Sequence, residues 1–111
     1  MKVVKAGEGR VYDARKHFHM WGIKMVSPEV ETRGVTVSMS HFLPNGGAEM
    51  STSPLERAYY VLAGSITVRG HEAEYVLNEG DLVYIPPGEE REIEVNNNRP
   101  ATILVVTAEV K

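Results

Sequence analysis

The chain has 111 residues and a mass of 12.3 kDa, which suits one ordinary domain and is too small for two independent cores. With 42% hydrophobic and 24% charged residues, its composition is that of a folded globular protein and excludes a disordered chain. The net charge of -3, without a basic cluster, excludes nucleic acid as an expected partner.

The sequence contains no cysteine, which excludes a disulfide framework, a thiolate zinc site and a cysteine nucleophile. The first residues lack the apolar run of a signal peptide, and no uninterrupted apolar stretch is long enough to cross a membrane. We therefore expect a cytoplasmic protein that has no membrane partner.

The first predicted elements are short strands around residues 19–26, within an N-terminal arm that spans about residues 1–34. Residues 26–34 have a loop-like composition. The stretch 35–43 then alternates between apolar and polar residues, and such alternation is typical of a half-buried strand. One face of this strand carries Val35, Val37, Met39, His41 and Leu43, and we expect that face to point inward. Residues 43–54 are predicted to be a loop.

Six short β-rich runs follow, and Gly, Pro or Asn stands at nearly every junction between them. Such punctuation favours hairpins between successive strands. No segment shows a helical period. The sequence therefore predicts an all-β, antiparallel sandwich or barrel with little or no helix, formed as a single domain over residues 1–111. The predicted strands cover residues 58–62, 65–68, 73–77, 81–85, 91–95 and 102–106.

The segment around residues 80–95 resembles the second motif of the cupin family. Gly80, Pro86 and Gly88 fall in the register of that motif. Arg91 stands where the family has a metal-binding His. In the strand that Arg91 begins, Ile93 and Val95 alternate with glutamates, so Arg91 is expected to point inward with them.

A second stretch resembles the first cupin motif, because Gly64 matches the glycine that ends it. Counting back places Arg57 at the position of the metal-binding Glu. The family's His-x-His pair should lie within residues 50–54, but those positions contain no histidine. The resemblance implies a small antiparallel jelly-roll barrel with its motifs over about residues 35–106, one ligand cavity, and a homodimer.

Two arginines at the expected ligand positions suggest that the metal's positive charge is replaced. A buried guanidinium needs a carboxylate partner or a bound anion. We predict that Arg57 and Arg91, with Met50 and Thr52 beside them, bind the carboxylate of a small organic acid. His41 and Tyr59 are the candidates for proton transfer in an isomerase, lyase or decarboxylase. No cofactor is expected.

Three alternatives remain open at this stage. In the first, the arginines form structural ion pairs with neighbouring glutamates, Arg57 with Glu49 or Glu56, and His41 is a core residue. In the second, the protein is a ligand-binding or sensor module without catalysis. In the third, a divalent metal is held by a rebuilt site in a metalloenzyme of the dioxygenase or isomerase type. The residues available for such a site are His41, Glu49, Glu56, His17 and His19.

The pair His17 and His19 has the spacing at which two side chains of a strand share one face. Such a pair can ligate a metal, although we favour a solvated pair or part of a dimer contact. Whether the protein is an enzyme is left undecided by the sequence.

Overall fold

The computed structural model describes residues 1–110, which form nine β-strands and one 3-10 turn, Asn96–Asn98. All the paired strands are antiparallel, which confirms the predicted all-β fold. The strands are β1 Arg10–Tyr12, β2 His17–Val26, β3 Val35–Ser51, β4 Glu56–Ala63, β5 Ile66–Arg69, β6 Glu74–Leu77, β7 Leu82–Ile85, β8 Arg91–Val95 and β9 Ala101–Ala108.

The strands form two curved layers that share β3, as a jelly-roll barrel requires. The first layer has the order β1, β2, β3, β9, β4 and β7 and uses the first part of β3. The second layer has the order β3, β8, β5 and β6 and uses the last residues of β3. In the part of the chain that the structure describes, no helix is long and apolar enough to span a membrane.

The long strand β3 bends between the two layers at residues 43–47, where we had predicted a loop. That prediction is wrong for residues 43–51, because glycines allow the strand to continue through a tight crossing, and it holds for residues 52–54. A Cβ on Gly46 would lie 2.5 Å from the carbonyl oxygen of His19, and a Cβ on Gly47 would lie 2.2 Å from that of Ile93. Only residues without a side chain fit at these two positions.

Most of the hairpins predicted after β3 do not form, because successive strands there lie in different layers, except β5 and β6. β5 and β6 pair as a hairpin, but β4 pairs with β7 and β9, not with β5. Gly64 marks the crossover after β4, at φ +82°. This positive φ is accessible to glycine without strain. Turn composition predicted where the strands end, but not which strands pair.

The core fills the closed end of the barrel between the two layers. Phe42, Val61, Ile66 and Ile103 are its most deeply buried hydrophobic side chains, each at most 2% exposed. They come from β3, β4, β5 and β9, so the core joins both layers. The opposite end of the barrel is lined by polar side chains and remains open.

An ion pair fixes the short strand β1 beside this open end. Arg10 donates hydrogen bonds of 2.7 and 3.1 Å to the two carboxylate oxygens of Glu31. These bonds, with a further one from the Ser27 N–H group, hold the pKa of Glu31 at about 2. Because Arg10 and Tyr12 belong to the same three-residue strand, this pair also positions the Tyr12 ring.

Candidate functional site

The open end of the barrel contains two adjoining volumes that together form one barrel cavity. The inner volume of about 230 Å³ is bordered by β-strand residues that include Ser38, Ser40 and Tyr59. The outer volume of about 320 Å³ is bordered by Ser51 to Ser53 and by Arg91. Tyr12, His17 and Arg57 border both volumes.

Arg91 lies at the start of β8 and is only 8% exposed. Its Nε donates a hydrogen bond of 3.2 Å to the hydroxyl oxygen of Tyr59, and its Nη1 donates one of 2.9 Å to the carbonyl oxygen of Ser51. Both acceptors are uncharged, so the guanidinium charge is held in place without being neutralised. The remaining nitrogen, Nη2, has no hydrogen-bond partner among residues 1–110 and is available to a ligand.

Arg57 lies on the inward face of β4, opposite Ile85 and Thr107 of its neighbouring strands. Within the described chain, no carboxylate oxygen lies within 4.0 Å of either the Arg57 or the Arg91 guanidinium. Glu56 instead accepts a hydrogen bond from the Tyr84 hydroxyl on the outer face of the barrel. The structure therefore contradicts the alternative in which Arg57 and Arg91 form structural ion pairs with neighbouring glutamates.

His17 is the imidazole that borders the barrel cavity. Its Nδ1 lies 2.6 Å from the carbonyl oxygen of Arg15, and its ring stacks on Phe42 with 6.4 Å between centroids. Burial lowers the pKa of His17, and the positive charges of Arg91 and Arg57 lower it further, against the opposing effect of the Arg15 carbonyl. His17 is therefore neutral at pH 7.

Tyr12 covers part of the cavity entrance because the residue beneath it has no side chain. A Cβ on Gly22 would lie 2.5 Å from the Tyr12 ring, so a side chain at this position would displace the ring. Lys24 places its Nζ 4.9 Å from the centroid of the same ring, which is a cation-π distance. The entrance thus adds a third cationic side chain to the surroundings of the two arginines.

His41 does not border the barrel cavity, contrary to our prediction. It pairs with Thr102 on the outer face of the first layer, where its Nδ1 lies 3.0 Å from the threonine hydroxyl and its ring lies 6.0 Å from that of Trp21. The inward residues of this strand are Ser38, Ser40 and Phe42. The inward face of β3 lines a polar cavity, so its polar residues point inward and its apolar residues point outward. This is the reverse of the orientation that alternation normally indicates.

Of the other predicted residues, Thr52 borders the outer volume and Tyr59 the inner one. Met50 does not reach the cavity: it is 37% exposed and lies in a groove on the outer face of the second layer. His17 and His19 are also separated. A bulge shifts the register after Phe18, and His19, at φ +50°, is exposed and contacts the Phe18 ring.

The chemistry of the residues around the cavity does not fit a divalent metal. A metal site needs several imidazole or carboxylate donors, whereas the cavity offers one imidazole beside two guanidinium groups. Among residues 1–110, no three His, Asp or Glu side chains come close enough to hold an ion. The structure does not bring together the residues considered for a rebuilt metal site, because His41 and Glu56 lie outside the barrel and His17 borders its cavity.

A second depression, of about 540 Å³, lies on the outer face of the second layer. It is bordered by Phe18 and by the charged residues Glu49, Arg69, Glu92 and Glu94. Arg69 forms ion pairs with Glu92 and Glu94, and with Glu74 beside them. The one arginine of this groove faces three bordering glutamates, so the groove is acidic, unlike the barrel cavity.

Sequence reasoning did not assign several residues of the cavity. Ser38 and Ser40 lie on the polar side of a strand whose apolar side we expected to be buried. Tyr12 carried a weak signal, since the arm was predicted to contain strands but not to complete the cavity. His17 was noted only for its spacing to His19, and the bulge that separates them has no clear sequence signature.

Comparison with known proteins supports the architecture. A family model described as "Cupin domain" matches residues 38–107. A beta-D-galactosidase of Mycobacterium tuberculosis is 32% identical to this chain over 109 residues, which cover 97% of this chain and 94% of that protein.

Two solved structures show how widely this fold is shared. The polyketide cyclase RemF from Streptomyces resistomycificus superposes with a TM-score of 0.84 at 20% identity, covering 97% of this chain and 79% of that one. A predicted oxalate decarboxylase from Thermotoga maritima superposes with a TM-score of 0.82 at 16% identity, covering 98% and 100%. At these identities, the likeness concerns the fold alone.

Proposed function

Because this chain belongs to the cupin domain family, we propose that its barrel cavity binds a small organic acid through Arg57 and Arg91. One observation carries the proposal: both guanidinium groups border the cavity, and no carboxylate among the described residues lies within 4.0 Å of them. A bound carboxylate supplies the missing negative charge, and its two oxygens match the planar guanidinium fork.

The bound acid undergoes an isomerase, lyase or decarboxylase reaction in this proposal. Where such a reaction passes through an enolate, negative charge develops on the carbonyl oxygen, and fixed cations and hydrogen-bond donors stabilise that charge. Tyr59 is suited to this role, because its oxygen accepts a hydrogen bond from Arg91 and leaves its own O–H proton free to donate. Thr52 borders the outer volume of the same cavity and contributes a second hydroxyl.

The test measures binding of matched charged and neutral ligands to the unmodified protein by calorimetry. The panel contains oxalate, malonate, succinate and pyruvate, together with the methyl esters of the same acids. We expect at least one acid to bind at least tenfold more tightly than its ester, because the ester lacks the charge that the arginines require. Equal binding of acids and esters, or binding of neither, contradicts the proposal. An acid that binds without being consumed in an NMR assay identifies a binding module.

Galactoside hydrolysis is a second candidate, favoured by the 32% identity to the galactosidase over nearly the whole chain. Glycosidases generally use two carboxylates that flank the scissile bond. The described residues around the barrel cavity include none, whereas the outer groove has Glu49, Glu92 and Glu94. Hydrolysis of a chromogenic beta-D-galactoside that is lost in Glu49→Gln or Glu92→Gln, but retained in Arg91→Met, would assign that activity to the groove.

We also propose that two copies of the chain associate through the outer face of the first layer. This face is apolar over several strands, and among residues 1–110 its one charged side chain is Glu56, so a second copy of the same face is a complementary partner. A monomer seldom leaves so large an apolar area in water. Its exposed apolar residues include Val11, Trp21, Leu43, Tyr60, Leu62, Leu82 and Tyr84.

Sedimentation velocity tests this association. We expect a dimer for the unmodified chain and a monomer for Leu104→Lys, because Leu104 lies in the middle of the face on β9, opposite Met39 and Tyr60. The matched control is Val76→Lys, which places the same charge at an exposed position of the other layer. An unmodified chain that sediments as a monomer at high concentration contradicts the proposal.

A further inference from the structure

We propose that His17 is the proton acceptor of the barrel cavity, and that an anion bound between Arg57 and Arg91 enables it to accept a proton. This inference rests on the proposed anion site. It assigns to His17 the proton-transfer role that the sequence had suggested for His41.

The hydrogen bond of His17 determines which ring nitrogen is available. A carbonyl oxygen can only accept, so the Nδ1 atom, 2.6 Å from the carbonyl oxygen of Arg15, must carry the proton. In the neutral ring the lone pair is therefore on Nε2. Stacking on the buried Phe42 ring fixes the plane of the imidazole. His17 is thus a preoriented base that borders both volumes of the cavity.

The charged and titratable groups that face His17 come from every neighbouring element and include no carboxylate among the described residues. In the free protein, burial and this positive surrounding disfavour the imidazolium form. The side chains are Tyr12 from β1, Lys24 from β2, Arg57 and Tyr59 from β4, Arg91 from β8, and Arg15 and Lys16 from the turn before β2.

A bound anion changes this balance, because its negative charge offsets those of the two arginines. The pKa of His17 then rises, so binding is accompanied by proton uptake. It follows that anion affinity increases as the pH falls through the interval between the pKa values of His17 in the bound and free states. One pKa unit of difference corresponds to a tenfold change in affinity.

At a pH above the pKa that His17 has in the complex, Nε2 remains unprotonated when the anion is bound, and the raised pKa makes it a stronger base. The site then provides a balanced catalytic step for an acid with a hydrogen on the carbon next to its carbonyl group. The C–H bond breaks, and its proton moves to Nε2 of His17. The electron pair remains on the substrate as an enolate, which the guanidinium of Arg91 and the hydroxyl of Tyr59 stabilise. Return of the proton to another carbon gives an isomerase, and loss of a leaving group gives a lyase.

The experiment follows the four imidazoles of the protein by NMR between pH 5 and 8, with and without oxalate, whose carboxylates remain ionised over this range. Single substitutions assign the signals. We expect the pKa of His17 to lie below that of an exposed histidine in the free protein, and to rise by about one unit or more with saturating oxalate. Calorimetry in two buffers of different ionisation enthalpy should show uptake of up to one proton. His17→Asn should abolish this uptake, and the exposed control His19→Asn should preserve it.

Oxalate that binds without changing the pKa of His17 overturns this inference and leaves the anion site standing. Proton uptake that persists in a folded His17→Asn variant also overturns it. If His17→Asn does not fold, the NMR titration of the unmodified protein decides alone. Oxalate that does not bind counts against the proposed function itself, and the inference then fails with it.

Discussion

Replacement of Arg91 by methionine lowers the affinity of the protein for oxalate by about 100-fold or more. Hydrogen bonds from a charged donor contribute about 1.5 to 3 kcal/mol each, so loss of a two-bond contact costs about 3 kcal/mol or more. Methionine keeps an unbranched apolar stem in place of that of arginine, which limits the effect on packing. The measurement is isothermal titration of oxalate into each variant at constant pH and salt concentration.

The matched control is Arg69→Met, which removes an arginine from the outer face of the same layer. It should bind oxalate within about twofold of the unmodified protein, because screened surface charges interact weakly over this distance. Arg91→Lys distinguishes charge from geometry, and we expect it to recover only part of the affinity, since an ammonium group lacks the planar fork. An Arg91→Met variant that is folded and binds oxalate as the unmodified protein does contradicts the assignment.

Replacement of Phe42 by alanine destabilises the fold by about 3 to 5 kcal/mol, which is the usual cost of removing a buried aromatic ring and leaving a cavity. Phe42 is 2% exposed, and it joins the hydrophobic core to the His17 ring at the base of the cavity. The loss is a large part of the stability of a domain of this size. Urea unfolding followed by circular dichroism measures the free energy of unfolding.

The only other phenylalanine of the chain provides the control. Phe18 is 41% exposed and lies over Gly47 on the outside of the barrel, so Phe18→Ala should cost about 1 kcal/mol. Equal losses for the two variants would mean that Phe42 does not occupy the core position described above.

The positions of the strands after β3 were predictable because Gly, Pro or Asn separates successive strands at short intervals. The last part of the barrel shows this most clearly. Arg91, Ile93 and Val95 alternate with glutamates in β8, and the structure buries the same three residues. In this strand the inward face is mainly apolar and the outward face is charged, so alternation indicates orientation correctly.

The same rule failed in β3, for a physical reason. Here the inward face carries Ser38 and Ser40, which line the cavity, and the outward face carries Val37 and Met39. A polar cavity reverses the relation between polarity and exposure, so the alternation assigned His41 to the wrong side. Sequence periodicity measures the contrast between two faces, and it does not identify the face that water reaches.

The barrel cavity itself could be predicted only in part. Alignment with the two cupin motifs predicted that Arg57 and Arg91, which are distant in sequence, both border the cavity. The motifs do not include β1 and β2, so they gave no information on these strands. His17 and Tyr12 reach the cavity because β2 continues past a bulge and β1 packs along it. Those long-range pairings depend on the bend at Gly46 and Gly47, where the composition favoured a loop.

Oxalate soaked into crystals of the unmodified protein provides the most direct measurement. The account requires electron density for the anion inside the barrel, with carboxylate oxygens within hydrogen-bond distance of both guanidinium groups and the His17 ring beside it. A barrel in which the arginine heads turn outward or pair with glutamates, or in which imidazoles coordinate a metal ion at that position, would contradict it.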